Sequence, residues 1–552
     1  MALTRHVKTL HEMLLEQGAL TPEQLQGAQA EAAKSGRPLK RVIVQKGLMT
    51  EQDLAALVAT QSGVTSIDLA NYLIKPDIVQ LVPEPLARKH TLMPIFKIGE
   101  SLTVAMEDPL NFFAVDELRL KTKCDIKTVV ASETSIRQAI DQYYGSAGTI
   151  AEVAQAIQDA SLPQKDEQLA AEAPVIRLVN LLIMQAMKES ASDIHLEPGD
   201  GLLRTRFRID GVLREVNGPP AHLHAAVVSR VKVLAKLDIA EKRKPQDGRF
   251  RLKMEGRDID LRVSTVPTQF GEKVVMRLLD SSRALLSFEQ LGLEEPMRAQ
   301  VERLIRLPHG ILLVTGPTGS GKTTTLYTAL SAINSVERNI ITIEDPVEYQ
   351  LPGVNQVQVN PKAEVTFASA LRSFLRQDPN VIMVGEIRDR ETAEIAIQAA
   401  LTGHLVFSTL HTNDAPSSLT RLVEMGIEPF LVASAVAGVI AQRLVRVICP
   451  KCKEPHHPPT DLTDTLPSTA QFFRGKGCAS CRQGGYKGRI GLFEILPMAD
   501  AIKDLVVSKA PAHVIQEAGR KAGLRTLRED GLAKALAGLT TLEEVVRVTQ
   551  LE

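Results

Sequence analysis

Residues 311–333 read ILLVTGPTGSGKTTTLYTALSAI and join an apolar run to a glycine-rich loop. The four apolar residues at the start predict a buried strand, and the last ten residues predict a helix. The loop between them fits the pattern G-x-x-x-x-G-K-[ST], in which backbone N–H groups wrap phosphates at a helix N-terminus. Because the flanking strand and helix are both present, this segment predicts a nucleotide-binding α/β domain.

Lys322 and Thr323 close this loop and carry its chemistry. The lysine supplies a positive charge to the β- and γ-phosphate oxygens, and the threonine hydroxyl can hold Mg²⁺. The sequence therefore predicts ATP and Mg²⁺ as cofactors. The residues predicted to bind them are Gly316, Pro317, Thr318, Gly319, Ser320, Gly321, Lys322, Thr323 and Thr324.

Two acidic segments follow the P-loop, each at the end of an apolar strand. The first, IEDPVEY, contains Glu344 and Glu348, and the second, MVGEIRD, contains Glu386. Such strand ends hold Mg²⁺ or polarise water in P-loop proteins, although Gly385 stands where most of them have the Mg²⁺-holding aspartate. A further strand, LVFSTL, is bracketed by His404 and His411, and a histidine without functional neighbours is usually structural.

Four of the five cysteines form two C-x-x-C pairs. Two such corners place four thiolates around one point, a tetrahedral arrangement that suits Zn²⁺. Four protein ligands leave no open coordination position, so the predicted zinc is structural. The predicted ligands are Cys449, Cys452, Cys478 and Cys481.

Composition and charge argue against a nucleic-acid-binding protein, a membrane-spanning protein and a secreted protein. The 552 residues suffice for roughly three to four domains. Lys+Arg and Asp+Glu are 65 each, so no overall basic charge points to nucleic acid. The longest apolar candidate, 430–441, is too short to span a bilayer, and residues 1–18 lack the apolar core of a secretory signal. We therefore expect a cytoplasmic location.

The chain is predicted to consist of several α/β and helical parts. Gly18 to Thr21 and Gly47 to Thr50 begin similar segments, each with a glycine stop and a threonine N-cap, which indicates a helical repeat. Further on, Asp210-Gly211 predicts a hairpin turn. We expect a helical module at 1–62, an α/β module at 63–145, a flexible linker at 146–173, a second α/β domain at 174–287, and the nucleotide domain at 288–552 with a zinc insert at about 446–490.

Taken in order, these motifs resemble those of the type II secretion and type IV pilus motor ATPases. That family has a P-loop followed by segments like IEDPVEY, MVGEIRD and TGHLVFSTLHTND, and the upstream segments SDIHLEP, RFRIDGVLRE and AEKRKPQDGRF match as well. The resemblance covers about residues 174–500. It implies a multidomain α/β fold in which a RecA-like P-loop domain follows a PAS-like α/β domain, with small N-terminal modules and a zinc-binding insert.

The resemblance also implies residue roles. Glu348 or Glu344 would orient or deprotonate the attacking water, and the sequence does not separate these two. Glu386 would act through Mg²⁺ or its water shell, and His404 and His411 would shape the γ-phosphate environment. Family members form homohexameric rings that hydrolyse ATP in a cleft between the two α/β domains. Candidates to stabilise the γ-phosphate there are Arg206, Arg208 and Arg277.

The cysteine pairs and the N-terminal module favour one branch of this family. Retraction motors are shorter and lack both, so the chain resembles an assembly or secretion motor. The resemblance implies a motor for type IV pilus assembly, with a type II secretion pseudopilus as the alternative. The implied partners are an inner-membrane platform protein and assembly proteins at the cytoplasmic face, with the chain peripheral to the inner face of the inner membrane.

Other functions receive less support. In some family members the N-terminal repeat binds cyclic di-GMP through an Arg-Leu-Gly start to each repeat. Here the aligned positions read TLH at 9–11 and PLK at 38–40, which favours a structural or docking role. A DNA-transport ATPase would use the insert to grip nucleic acid, but VRVICPKCKEPHHPP has few aromatic and basic residues, so no nucleic acid is expected. A sensor or scaffold without hydrolysis is disfavoured because the P-loop lysine and the acidic residues are present.

Overall fold

The computed structural model describes residues 14–15, 19–36, 38–144, 173–280, 286–458 and 470–549. The chain divides into two compact units, Met1–Ser282 and Arg283–Glu552. Among the described residues, no helix combines the length and the apolar character needed to cross a membrane.

The first unit begins with a helical module. Thr21 and Thr50 each precede a helix and accept a hydrogen bond from the backbone N–H three residues further on, as the repeat predicts. The first helix of the predicted repeat lies mostly outside the described residues. The described helices of the module are α1 (Pro22–Ser35), α2 (Leu39–Gln45) and α3 (Glu51–Ser62).

An α/β module follows, which has both strands and helices. Its three-stranded sheet has the order β2-β3-β4, in which the first pair is antiparallel and the second parallel. The strands are β2 (Leu92–Ile98), β3 (Ser101–Met106) and β4 (Asp125–Val130), and the helices are α4 (Pro76–Val79), α5 (Glu84–His90), α6 (Phe112–Thr122) and α7 (Glu133–Tyr143).

The second sheet of this unit has seven strands in the order β1-β8-β9-β10-β5-β6-β7. Asp210 and Gly211 have φ of 49° and 85°, the left-handed pair of a tight hairpin, which confirms the predicted turn. Helices α8 (Ala173–Lys188) and α9 (His224–Ala235) bury apolar residues against the sheet. The strands are β1 (Tyr72–Leu73), β5 (Ala191–Gly199), β6 (Leu202–Ile209), β7 (Val212–Val216), β8 (Gln246–Met254), β9 (Arg257–Thr268) and β10 (Gly271–Asp280).

The two parts of the first unit are joined through β1. Tyr72 on this strand pairs in parallel with Lys253 on β8, although β2, β3 and β4 lie between these two strands in sequence. The Tyr143 hydroxyl donates to the carbonyl oxygen of Tyr72 at 3.0 Å. Elements on both sides of residues 146–173 thus share one sheet, and the flexible linker predicted there stays a prediction. Apart from its last residue, that segment lies outside the described residues.

The second unit contains a seven-stranded sheet in the order β13-β12-β14-β15-β11-β16-β19. The first six strands are parallel and the last is antiparallel to its neighbour. Near-continuous apolar sequences form the central strands because both faces are covered by helices. The strands are β11 (Gly310–Thr315), β12 (Ile340–Glu344), β13 (Asn355–Gln358), β14 (Val381–Val384), β15 (Leu405–Leu410), β16 (Val436–Ile448) and β19 (Tyr486–Pro497).

Two apolar clusters fill the layers on either side of this sheet. A separate two-stranded sheet, β17 (Lys453–His456) with β18 (Phe472–Gly475), lies between the two cysteine pairs in sequence. The helices of the unit are α10 (Phe288–Leu291), α11 (Met297–Leu304), α12 (Lys322–Ile333), α13 (Phe367–Phe374), α14 (Arg390–Leu401), α15 (Ala415–Glu424), α16 (Pro429–Ala435), α17 (Asp500–Val507), α18 (Ala512–Lys521), α19 (Leu527–Leu536) and α20 (Leu542–Thr549).

Candidate active site

The predicted P-loop connects β11 to α12 at the carboxyl edge of the parallel sheet. Its first and last glycines, Gly316 and Gly321, have φ of 145° and 91°. A side chain on Gly316 would collide with the backbone oxygen of Gln442, and one on Gly321 would lie 2.8 Å from the amide nitrogen of the same glutamine. Both glycines are therefore required by conformation and by their close contact with β16.

Lys322, the first residue of α12, folds back over the loop. Its Nζ donates to the carbonyl oxygens of Gly316 at 2.7 Å and Pro317 at 3.2 Å. Burial lowers the pKa of Lys322 to about 8; the charge of Glu386 opposes this shift and that of Arg443 adds to it. The lysine is thus held in the loop by weak backbone acceptors that phosphate oxygens can replace.

The strand register brings several predicted residues to the same edge. Thr315 at the end of β11 pairs with Leu410, next to His411, and Val384 at the end of β14 pairs with Ile343, next to Glu344. The hydroxyl of Thr323 is exposed on the first turn of α12. The P-loop, both acidic segments and one of the two histidines therefore meet here.

The negative charge of Glu386 acts on the P-loop lysine and favours its protonated form. One carboxylate oxygen lies 2.5 Å from Nη2 of Arg388, and the other lies 3.4 Å from Nε2 of His411. A Cβ on the preceding Gly385 would come within 3.3 Å of the backbone oxygen of Ile343, so the strand end has little space for an aspartate. Glu386 is therefore the residue at this strand end that supplies a carboxylate.

Glu344 is buried, with 3% of its surface exposed. Its carboxylate accepts hydrogen bonds from the hydroxyl of Tyr327, from Oγ1 of Thr342 at 2.6 Å, and from Nε2 of Gln356 at 3.1 Å. These three donors compensate for the burial of the charge. They also leave the carboxylate poorly placed to take a proton from water.

Glu348 is half-buried and follows four residues later. Its backbone N–H donates to the hydroxyl oxygen of Tyr327 at 3.3 Å. The sequence does not decide between Glu344 and Glu348 as the residue that activates water. In the structure, Glu348 has access to solvent and Glu344 does not.

His404 lies at the opposite end of the sheet from the P-loop. Its carbonyl oxygen accepts from the N–H of Gly310, the first residue of β11, and its Nδ1 lies 2.9 Å from the carbonyl oxygen of Ala399. The six residues of β11 separate it from the phosphate loop by about 20 Å. The geometry gives no support to the prediction that His404 acts on the γ-phosphate of its own chain.

The three candidate arginines form ion pairs within the first unit. Arg206 pairs with Glu197 at 2.7 Å, and Asp193 pairs with both Arg208, at 3.4 Å, and Arg277, at 3.0 Å. These pairs are the ordinary structural role of such residues on a sheet. The role of the arginines at the γ-phosphate stays a prediction.

The four predicted zinc ligands converge beyond β16. Their Sγ atoms all lie within 4.8 Å of one another. The separations are 3.9 Å between Cys449 and Cys478, 3.7 Å between Cys452 and Cys481, and 3.7 Å between Cys478 and Cys481. A tetrahedron with metal–sulfur bonds of about 2.3 Å has sulfur–sulfur edges of about 3.8 Å, so the cluster fits Zn²⁺.

The four thiols interact closely with one another. Burial raises the pKa of the Cys481 thiol, but hydrogen bonds with the backbone of Cys478 and Gly485 and with the neighbouring thiols lower it to about 6, whereas burial raises the pKa of the Cys452 thiol to about 12. Gly475 and Gly485 approach each other so closely that a side chain on either would meet the other's backbone. The glycines near the second cysteine pair thus allow the close turn around the four sulfurs.

Three residues of this site were not identified from the sequence. Tyr327 reads as a core residue because it lies on the apolar face of α12. Gln442 and Arg443 interrupt the apolar sequence of β16, yet they are 1% and 6% exposed. Nη2 of Arg443 donates to the side-chain oxygen of Asn413 at 3.1 Å. Buried polar residues inside an apolar strand are the signal that could have found the last two.

A parallel sheet with a P-loop and carboxylates at its carboxyl edge defines a nucleotide-hydrolysing P-loop protein. The chain belongs to the type II/IV secretion system protein family, whose model matches residues 168–547. It is therefore a secretion-family ATPase, which confirms the predicted family and the multidomain α/β fold. A second family model, the MshEN domain, matches residues 62–150, which is the α/β module rather than the helical repeat before it.

Two relatives match almost the whole chain. The type IV pilus assembly ATPase PilB of Myxococcus xanthus is 47% identical over 97% of this chain and 98% of its own length. The type II secretion system protein E of Xanthomonas campestris is 45% identical over 98% of each chain. Both are assembly-type or secretion-type members, as the cysteine pairs predict.

A solved structure supports the fold. The ATPase DotB of Legionella pneumophila is similar with a TM-score of 0.51 and 21% identity, over 68% of this chain and 95% of DotB. At this identity the similarity concerns the fold alone.

Proposed function

We propose that this chain is an ATP-hydrolysing motor that powers type IV pilus assembly. The observation that carries the proposal is that Lys322, Glu386 and the segment containing Glu348 meet at one sheet edge. They do so in a chain 47% identical, over nearly its whole length, to a pilus assembly ATPase.

The P-loop binds the nucleotide in this proposal. When the phosphates enter, Lys322 exchanges its two backbone acceptors for β- and γ-phosphate oxygens, while the backbone N–H groups of 316–323 surround them. Thr323 and Glu386, the latter through water, would hold Mg²⁺, which when bound neutralises charge on the phosphate oxygens. His411 and Arg388 keep the carboxylate of Glu386 oriented toward this edge.

Glu348 is the residue that we assign to water activation. Its carboxylate accepts a proton from the attacking water, the water oxygen bonds to the γ-phosphorus, and ADP leaves with the electrons of the broken bond. Glu344 is excluded from this role because its carboxylate is buried and already accepts three hydrogen bonds. It instead supports the segment in which Glu348 lies.

The assembly and partners of the motor are part of the same proposal and are carried over from the family resemblance. We propose a homohexameric ring that acts on an inner-membrane platform protein and on assembly proteins at the cytoplasmic face, peripheral to the inner membrane. Hydrolysis and product release around the ring would drive the addition of pilin subunits. Arg206 and Arg208 would leave their carboxylate partners to stabilise the γ-phosphate. Cyclic di-GMP receives no support, because neither repeat has the arginine start.

Steady-state ATP hydrolysis with parallel mass measurement tests the enzymatic part. We expect the wild-type hexamer to hydrolyse ATP, Lys322→Ala to abolish hydrolysis, and Lys521→Ala, at an exposed helix end, to leave the rate unchanged. Hydrolysis that persists in Lys322→Ala would contradict the proposal.

The biological role is tested in a strain that lacks this chain. We expect the loss of surface pili with normal protein secretion, restored by the wild-type chain but not by Lys322→Ala. The 45% identity to a type II secretion protein E supports the alternative role. Lost secretion with intact pili would establish that alternative.

A further inference from the structure

Tyr327 lies on α12 five residues after the P-loop lysine, and its side chain is completely buried. Its ring packs edge-to-face against Tyr349, with ring centres 4.6 Å apart. Its hydroxyl reaches the acidic segment, where three groups surround it: the carboxylate of Glu344, the backbone N–H of Glu348 and the side-chain amide of Gln356. One hydroxyl thus connects the phosphate-binding helix to the acidic segment.

The direction of the hydrogen bonds at this hydroxyl follows from the chemistry of its partners. A phenol has one hydrogen to donate and two lone pairs to accept with. The ionised carboxylate of Glu344 can only accept, so the phenol hydrogen points to it. A lone pair then accepts from the N–H of Glu348 at 3.3 Å. Nε2 of Gln356 lies at the same distance but has nearer acceptors on Glu344 and Tyr349, both at 3.1 Å, so the N–H of Glu348 is the donor that depends on this hydroxyl.

We propose that Tyr327 is a positioning residue for ATP hydrolysis: its hydroxyl holds the backbone of Glu348 at a fixed place relative to the P-loop helix. Glu344 serves as the anchor that orients the hydroxyl. This inference rests on the proposed role of Glu348 as the base, and it adds the means by which that base is located.

The fixed protonation of the phenol supports this arrangement. Burial raises the pKa of Tyr327 far above its ordinary value, and the charge of Glu344 raises it further. The phenol therefore remains a donor to Glu344 over the whole working pH range.

The arrangement also has a mechanical consequence. Lys322 and Tyr327 belong to the same helix, so a shift of that helix when phosphates bind is passed directly to the backbone of Glu348. The loss of the hydroxyl should leave nucleotide binding intact while it releases the base from its position. Misplacement of a catalytic group by about 1 Å can cost about 100-fold in rate.

The test compares Tyr327→Phe with Thr342→Val in the full-length hexamer. The first variant removes the hydroxyl and keeps the ring that packs against Tyr349. The second also removes one donor to buried Glu344, the 2.6 Å bond from Oγ1, but keeps the hydroxyl of Tyr327 that accepts from the N–H of Glu348. Both variants leave Glu344 with one hydrogen bond fewer, so both should lower the stability.

The two variants should differ in turnover. We expect Tyr327→Phe to lower kcat by about 10-fold to 100-fold with KM for ATP changed less than about 3-fold, and Thr342→Val to lower kcat by less than about 3-fold. A wild-type kcat in Tyr327→Phe, or an equal loss in both variants, would overturn the proposal. An equal loss of kcat in both variants would show that the lower rate comes from the lost hydrogen bond to buried Glu344 and not from a change in the position of Glu348.

Hydrogen exchange supplies a readout that needs no variant. In the wild-type chain the amide of Glu348 should exchange slowly, because its acceptor is a buried hydroxyl. Exchange at the rate of an unprotected amide would overturn the proposal even if Tyr327→Phe fails to fold. Failure of the proposed function itself is distinguishable, because a Glu348→Gln variant would then hydrolyse ATP at the wild-type rate.

Discussion

Thr325 donates its hydroxyl hydrogen to the side-chain oxygen of Gln442 at 2.6 Å, and this buried bond joins the P-loop helix to β16. The backbone oxygen of the same glutamine lies against Gly316. From Gln442 the strand continues to Ile448, directly before Cys449. The phosphate loop and the cysteine cluster are therefore built on one strand.

The bond between Thr325 and Gln442 should contribute to stability. Gln442→Leu leaves the buried hydroxyl of Thr325 without its acceptor, and we expect the free energy of unfolding to fall by about 1–3 kcal/mol. Chemical denaturation measures this. In the double variant with Thr325→Val the two losses should be less than additive, since both partners of one bond are removed. Strict additivity would show that the two residues do not interact.

Gly316 and Gly319 offer a matched pair of substitutions. Both have positive φ, but a Cβ at Gly316 would meet the backbone of Gln442, whereas nothing lies within 4 Å of one at Gly319. Gly319→Ala should cost about 1–2 kcal/mol of backbone strain and retain ATP binding. Gly316→Ala should distort the loop and abolish it. Equal affinities, measured with a fluorescent nucleotide, would show that close packing on β16 is not needed.

The lowered pKa of Lys322 predicts a pH dependence of nucleotide binding. The charged lysine binds phosphate, so binding raises its pKa and takes up a proton at pH values above the free value of about 8. Affinity for ATP should be constant below about pH 8 and fall by up to about tenfold per pH unit above it. Calorimetry in buffers of different ionisation enthalpy measures the proton uptake.

The control for this prediction is Lys322→Met, which cannot take up the proton. It should bind ATP weakly and with no proton uptake near pH 8 to 9. Uptake of the same size in that variant would assign the titration to another group.

Removal of the metal tests the cysteine cluster. The wild-type chain should release about one Zn²⁺ on thiol modification, and Cys478→Ser should release much less and unfold at a temperature lower by roughly 5 °C or more. Cys124→Ser is the control, because this buried cysteine belongs to the first unit and the cluster belongs to the second. Unchanged zinc content in Cys478→Ser would contradict a four-thiolate site.

Much of the fold follows from local sequence signals. The glycine-rich loop between an apolar strand and a helix, the hairpin at Asp210-Gly211 and the threonine caps are short-range patterns with one physical solution each. The cysteine cluster could be predicted as well, because two C-x-x-C pairs have few alternative arrangements. The loop, the hairpin and the caps each depend on residues that are close together in the chain, and the cluster depends on two such pairs.

Features that depend on the order of the strands in the sheet were harder to predict from the sequence. The two histidines that bracket β15 look equivalent in sequence, yet the parallel register puts His411 beside Glu386 and His404 at the other end of the sheet. Similarly, only the packing of α12 against the acidic segment shows that Glu344 is saturated by donors. The pairing of β1 with β8 is a further feature of strand order that neither composition nor a short-range pattern reveals.

The central claim is that Glu348, and not Glu344, activates water at a P-loop ATPase site. The most direct measurement is single-turnover ATP hydrolysis by the hexamer, with ATP binding measured separately, for Glu348→Gln and Glu344→Gln. We predict that Glu348→Gln binds ATP with wild-type affinity and hydrolyses it at least about 100-fold more slowly. Glu344→Gln should be less stable, yet its folded fraction should hydrolyse ATP faster than Glu348→Gln does. Wild-type hydrolysis by Glu348→Gln, with ATP bound but not cleaved by Glu344→Gln, would contradict the account.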